Sequence, residues 1–209
     1  MDYEQPQPLP KAQPTPPSEP KAENPWIETG KTILLSAFLA LGIRSLVAEA
    51  RYIPSGSMLP TLQINDRLII DKVSYRFTNP VRGDIVVFDP PEKLGSKDAY
   101  IKRLIGLPGD RVEVKQGRVF INGRAISEKY IDEPPKYTWT KTESSDPDFT
   151  PNMVVPKDNY LVLGDNRNNS LDSHFWGFLP KDHLIGKAVV RFWPIDRAGG
   201  INPQPDYNK

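Results

Sequence analysis

Arg111-Val-Glu-Val-Lys-Gln-Gly-Arg-Val-Phe-Ile-Asn-Gly-Arg-Ala-Ile126 alternates apolar and polar residues and breaks twice at glycine. Val112 and Val114 flank a glutamate, and Val119 and Ile121 flank a phenylalanine, a period-two pattern typical of strands. Gln116-Gly117 and Asn122-Gly123 punctuate these runs. An Asn-Gly pair suits the two central positions of a tight hairpin turn, both of which need positive φ. The stretch therefore predicts two successive hairpins.

Outward from it, Leu68-Ile69-Ile70, Ile85-Val86-Val87-Phe88, Tyr160-Leu161-Val162-Leu163 and Ala188-Val189-Val190-Arg191-Phe192 are short apolar, largely β-branched runs with turn residues between them. No stretch after residue 50 keeps a helical period. The expectation is a mainly β chain. Residues 51–198 should form an antiparallel sandwich or partly open barrel, preceded by one N-terminal membrane-anchor helix. Residues 134–156 are polar and interrupted, which predicts a surface excursion, and residues 199–209 read as a flexible C-terminal tail.

Residues 1–25 hold eight of the 23 prolines, and Tyr3 is their one aromatic residue. Such a segment buries too little apolar surface to offset its ordering entropy, so a disordered Pro-rich tail is expected. It reads as a spacer, with docking to a proline-recognising domain as the alternative. Residues 32–43 are apolar and uncharged between Lys31 and Arg44. A span needs about 20 helical residues. The run becomes adequate when extended to about Ala48, with the Arg44 guanidinium reaching the headgroups. Residues 26–50 are thus expected to be a transmembrane signal-anchor, with Trp26 and Lys31 at the opposite interface. Ala48-Glu49-Ala50 also has the form of a secretory cleavage site, so a cleaved leader is the competing reading.

A formal net charge of +1 gives no electrostatic case for nucleic acid as a partner. The absence of cysteine excludes a disulfide framework and a thiolate nucleophile. Two histidines at no recognisable ligand spacing argue against a metal, and no cofactor is expected. Asp165-Asn-Arg-Asn-Asn169 imitates a calcium loop, but Arg167 stands at loop position three, where a ligand belongs, and the required glycine is missing.

Arg51-Tyr-Ile-Pro-Ser-Gly-Ser-Met-Leu-Pro-Thr-Leu62 is the chemically suggestive segment. Proline restricts its own φ and the residue before it, while glycine admits turns that other residues avoid. Such a turned strand end holds a hydroxyl outward beside backbone N–H groups, as an acyl-transfer nucleophile requires. An ordinary Pro-Gly-Ser turn is the bland alternative. Spacing cannot choose the base, because twelve serines and fifteen lysines offer too many pairs.

Ile53-Pro-Ser-Gly-Ser-Met58 with Pro60-Thr61-Leu62 resembles the nucleophile box of the type I signal peptidases. Four further matches follow in that family's order. They are Asn65-Asp-Arg-Leu-Ile69 with Lys72; Arg82-Gly-Asp-Ile-Val-Val-Phe88; Tyr100-Ile-Lys-Arg103 leading into Gly106-Leu-Pro-Gly-Asp110; and Gly164-Asp-Asn-Arg-Asn-Asn-Ser170 with Asp172, Ser173, Trp176 and Gly177. The likeness covers roughly residues 44–195.

The resemblance implies a membrane-anchored endopeptidase that removes signal peptides from exported preproteins, with Ser57 as nucleophile and Lys102 as general base. It further implies an oxyanion hole from the Ser55 hydroxyl and the Ser57 N–H, Ser170 orienting the lysine, and a structural Arg103–Asp165 salt bridge. Its partners would be preproteins and the lipid bilayer. Its place would be the cell membrane, single-pass, with the catalytic domain outside the cytoplasm; a thylakoid or other internal membrane is the alternative. The local sequence fits the base assignment. In a strand over 100–105, Tyr100, Lys102 and Leu104 share a face, a setting that strips water from an ammonium. Ile53, Met58, Leu62 and Ile101 are candidates for lining substrate pockets or, equally, for core packing.

His174 stands where the family usually has arginine, which puts the pairing of Asp172 in question. A Ser-His-Asp site built on His174 or His183 is a rival catalytic reading. The rival functions are a self-cleaving repressor-type Ser/Lys peptidase and a non-catalytic tethered β-domain scaffold.

Overall fold

The computed structural model describes residues 24–140 and 154–201. Residues 1–23, which carry nearly all of the expected Pro-rich tail, lie outside them, as do residues 141–153 and 202–209.

The first element is a helix, α1 (Pro25–Leu46). Asn24 accepts from the Trp26 N–H through Oδ1 at 3.1 Å, and Pro25 sits at the first helical position, where its missing N–H costs nothing. Glu28 in the first turn complements the helix dipole. At 1.5 Å per residue the 22 residues reach about 33 Å. Residues Pro25–Ile43 are long and apolar enough to cross a membrane, and none of that stretch is buried. Ile33, Leu34, Phe38 and Leu41 are all exposed.

The remainder is β. Strands β1 (Ala48–Tyr52), β2 (Arg67–Asp71), β3 (Ile85–Phe88), β4 (Tyr100–Gly106), β8 (Asn159–Leu163), β9 (Leu179–Pro180), β10 (Leu184–Trp193) and β11 (Gly199–Gly200) form an eight-stranded sheet. Its order is β1-β2-β10-β3-β4-β8-β9, with β11 pairing β10. The pairings are antiparallel throughout. Strands β5 (Val112–Lys115), β6 (Arg118–Ile121) and β7 (Arg124–Ala125) make a separate three-stranded sheet. Its turns are those read from the sequence: Gln116, Gly117, Asn122 and Gly123 all have positive φ.

Strand β3 buries all four residues, sending Ile85 and Val87 into one apolar cluster and Val86 and Phe88 into another. It is the central strand. A third cluster joins Val112, Val114, Val119 and Ile121 of the small sheet to Ile105, Leu161 and Leu163 of the large one. Helices α2 (Ser74–Phe77) and α3 (Ser173–Trp176) are single turns.

Three boundaries differ from expectation. The anchor was expected to reach Ala50, but the helix ends at Leu46 and Ala48–Tyr52 is a strand paired with β2, Ala50 opposite Ile69. Local propensity gives no sign of this pairing, because the partner strand supplies it. Gly199 and Gly200, assigned to a flexible tail, pair with Arg191 and Val190. The excursion over 134–156 is not wholly superficial. Trp139 and Val155 are buried, and Trp139 exchanges backbone hydrogen bonds with Val114 at 2.8 and 2.9 Å.

The residues of the apparent cleavage motif are therefore already paired with β2 and not free to enter a peptidase groove as an extended segment. Intact-mass analysis of the chain isolated from membranes is expected to show no mature form beginning at Arg51; finding one as the main species would restore the cleaved-leader reading.

Candidate active site

Ser57 lies in a one-turn 3-10 helix (Gly56–Met58) that follows the extended Ser55. The turn brings its hydroxyl to the start of β4. Lys102 Nζ donates to Ser57 Oγ at 2.9 Å and to the Ile101 carbonyl at 3.0 Å. Ser55 Oγ lies 3.4 Å from Ser57 Oγ. Strand alternation explains the approach. Tyr100, Lys102 and Leu104 share one face, and Lys102 Nζ sits 5.5 Å from the Tyr100 ring centroid.

Lys102 is 4% exposed. Burial lowers its pKa to about 8, against the opposing pull of Asp172 and Asp165. Among the described residues neither carboxylate hydrogen-bonds the ammonium, so desolvation wins.

Arg103, on the opposite face, is the contrasting cation. Its Nε and Nη2 donate to Asp165 Oδ1 and Oδ2 at 2.8 and 2.7 Å, its Nη1 donates to the Gly83 carbonyl at 3.0 Å, and the Tyr130 ring lies 4.0 Å away. Thr61, from the nucleophile segment, also donates to Asp165 Oδ2, at 2.6 Å. The loop over 164–170 is thereby tied to both β4 and the nucleophile segment.

Gly164 permits this contact. A Cβ there would overlap the Ser170 side chain and the Ser57 carbonyl. Ser170 Oγ is buried with no hydrogen-bond partner among the described residues. Asp172 accepts from the Gly164 N–H through Oδ2 at 2.8 Å and contacts His174 Nδ1 through Oδ1 at 2.6 Å. The pairing that His174 put in question is therefore present, with an imidazole as partner. That ring stacks on Tyr137 at 4.0 Å. His183 Nδ1 contacts the Asp89 carbonyl, and among the described residues neither histidine meets a serine hydroxyl.

A cleft of about 400 Å³ opens over Ser55, Ser57 and Lys102, walled by Tyr100, Ile101 and Leu171. A second, of about 380 Å³, holds Ile53, Ile70 and Val87. The two share Pro54, Asp98, Ala99, Tyr100 and Ile101, making one groove. Of the four expected lining residues, Ile53 and Ile101 border it. Met58 and Leu62 do not; both are fully buried with Leu68 and Ile70, Met58 at the end of the 3-10 turn. Sequence reading passed over Thr61 and Asn166, although both fall inside the quoted boxes.

A family model described as "Signal peptidase, peptidase S26" matches residues 26–193. The chain belongs to the signal peptidase family S26. A signal peptidase I from Leptolyngbya laminosa is 54% identical over 214 positions, covering 99% of this chain and 100% of that one. A probable signal peptidase I-2 from Synechocystis sp. is 56% identical, covering 87% and 79%. The thylakoidal processing peptidase 1 of Arabidopsis thaliana is 40% identical, covering 82% of this chain and 49% of its own length. As a member of the signal peptidase family the protein is a serine endopeptidase that cleaves signal peptides, and the repressor and scaffold readings are not favoured. Its apolar helix fits a single membrane anchor.

The buried lysine has a consequence for stability. Between pH about 8 and the ordinary value of 10.5, the unfolded chain binds more protons than the folded one, so stability rises with pH across that window. Below it the fold carries the whole penalty, about 3 kcal/mol. Lys102→Met is expected to unfold at higher temperature than wild type at pH 7, with the gap closing toward pH 10.5; equal melting at pH 7 would contradict the desolvation.

Proposed function

We propose that Ser57 is the nucleophile of this peptidase and Lys102 its general base. The observation that carries the reading is the buried Lys102 amine donating to the Ser57 hydroxyl at 2.9 Å. A lysine is a base only when neutral, and a pKa of about 8 leaves a useful neutral fraction at ordinary pH.

Neutral Lys102 takes the proton from Ser57 Oγ as that oxygen attacks the scissile carbonyl. The negative charge collects on the carbonyl oxygen, which the Ser57 N–H and the Ser55 hydroxyl receive. Collapse breaks the C–N bond, Lys102 gives the proton to the leaving amine of the downstream segment, and an ester joins Ser57 to the carbonyl of the signal peptide. Water, deprotonated by the same lysine, releases it. Ser170, whose buried hydroxyl has no partner among the described residues, would accept from the ammonium while it carries the extra proton. The Arg103–Asp165 pair acts as a structural clamp.

The substrate is a preprotein whose signal peptide lies as an added strand in the groove over Ile53 and Ile101, alternating side chains into the two clefts. The domain organisation follows the same reading: residues 26–46 anchor the chain in the membrane and the β domain works on its extracytoplasmic side, in a cell or thylakoid membrane.

The test uses the full chain in detergent and lipid with a purified preprotein. Wild type should cleave after a small residue, Ser57→Ala should be inactive, and Lys102→Met should lose about 10²–10⁴-fold in rate. Cleavage retained by both variants would overturn the assignment. The acylation rate should rise through a limb near pH 8, the value of the buried lysine. A limb near pH 10 would mean a solvated base.

A further inference from the structure

Asn166 makes two contacts with the nucleophile turn from 110 residues away in sequence. Its side-chain Nδ2 donates to the Gly56 carbonyl at 3.1 Å, and its backbone N–H donates to the Ser57 carbonyl, also at 3.1 Å. One residue thus holds the carbonyls on both sides of the nucleophile.

The two residues flanking Asn166 are themselves fixed. Asp165 is fully paired with Arg103 and Thr61. The Arg167 guanidinium donates to both Glu128 oxygens, at 2.7 and 2.6 Å, and to the Gly164 carbonyl at 2.9 Å. Asn166 is therefore presented by a rigid support.

The Gly56 carbonyl and the Ser57 N–H belong to one peptide plane. That bond is trans, so the two groups point in opposite directions. Fixing the carbonyl fixes the direction of the N–H. A rotation of the plane would take the carbonyl off Asn166 and turn the N–H away from where the oxyanion forms. Glycine at 56 offers little steric resistance to such a rotation. The Leu59 N–H also donates to this carbonyl, at 3.2 Å, so the Asn166 amide is a second restraint on the same oxygen.

We propose that Asn166 is a positioning residue for catalysis, acting through the Gly56–Ser57 peptide to aim the oxyanion-hole N–H before substrate arrives. The inference rests on Ser57 being the nucleophile. It separates Asn166 from Lys102, because the amide aims a donor and takes no part in proton transfer.

Asn166→Ala removes the side-chain bond and keeps the backbone one. Asn166→Asp is isosteric and replaces the donor with an acceptor facing the Gly56 carbonyl. In the full chain in detergent, each is expected to lower kcat about 10–10²-fold, up to the loss of one oxyanion donor, with KM nearly unchanged. The pH limb belonging to Lys102 should stay in place. Affinity for a substrate-like peptide aldehyde, whose carbonyl carbon bonds Ser57 Oγ to give a tetrahedral oxyanion as the hydroxyl proton passes to Lys102, should fall by the same factor as kcat/KM. Affinity for the matching peptide carboxamide should not move.

Wild-type kcat in both variants, or lost kcat with aldehyde affinity retained, would overturn the inference. So would equal losses for aldehyde and carboxamide, which indicate a merely structural role. If Asn166→Ala fails to fold, the isosteric aspartate variant carries the test. Ser57→Ala serves as the control. Activity retained there overturns the nucleophile assignment, whereas inactivity there with wild-type rates at Asn166 overturns this inference alone.

Discussion

Strand β4 sends one cation to each of its faces, and the different fates of those two cations organise the site. Arg103 meets a bidentate carboxylate, a backbone carbonyl and an aromatic ring, so its charge is compensated. Lys102, one residue earlier, meets a hydroxyl, a carbonyl and apolar walls. Burial without a hydrogen-bonded counter-charge favours the neutral amine, and a neutral amine beside a hydroxyl is a base in place. The same strand thus supplies the rigid clamp and the reactive group, and period-two alternation keeps the two apart.

Around this strand, buried aspartates fix the loops that carry chemistry. Asp66 receives the Gln63 N–H together with Arg191 and Arg197. Asp84 receives the Val81 N–H and the Tyr75 hydroxyl, and Asp110 receives the Leu107 N–H and the Asn122 amide. Asp165 and Asp172 do the same for the loop that reaches Ser57. A carboxylate accepting backbone N–H groups can restrain a loop that has no ladder of its own. Asp66, Asp84, Asp110 and Asp165 each fall inside a quoted sequence box, so the boxes carry turn anchors as well as strands.

What could be read from the sequence follows the range of the forces involved. The hairpins at Gln116-Gly117 and Asn122-Gly123 were legible because turn chemistry is local, and β3 because an unbroken apolar run announces a strand covered on both faces. Strands β1 and β11 were not, since Ala48-Glu49-Ala50 and Gly199-Gly200 have no strand signature and pair because a partner is present. The meeting of Ser57 with Lys102 spans 45 residues, and spacing carries no trace of it. Only the likeness to a known family nominated that pair. Met58 and Leu62 looked suited to a substrate pocket because an apolar residue near a nucleophile reads the same whether it faces groove or core; both pack into the core. Asn166 stayed silent for the opposite reason, as one polar residue among several in a loop whose hydrogen bonds are set by what lies across from it.

Catalysis near neutral pH requires the amine of residue 102 to lose its proton near pH 8, so that a useful fraction is neutral at physiological pH. Isotope-edited NMR of the Lys102 side chain, followed across pH in the full chain in detergent, reads that charge directly. A midpoint near 8 is predicted from its burial. A midpoint at or above the ordinary lysine value of 10.5 would contradict it.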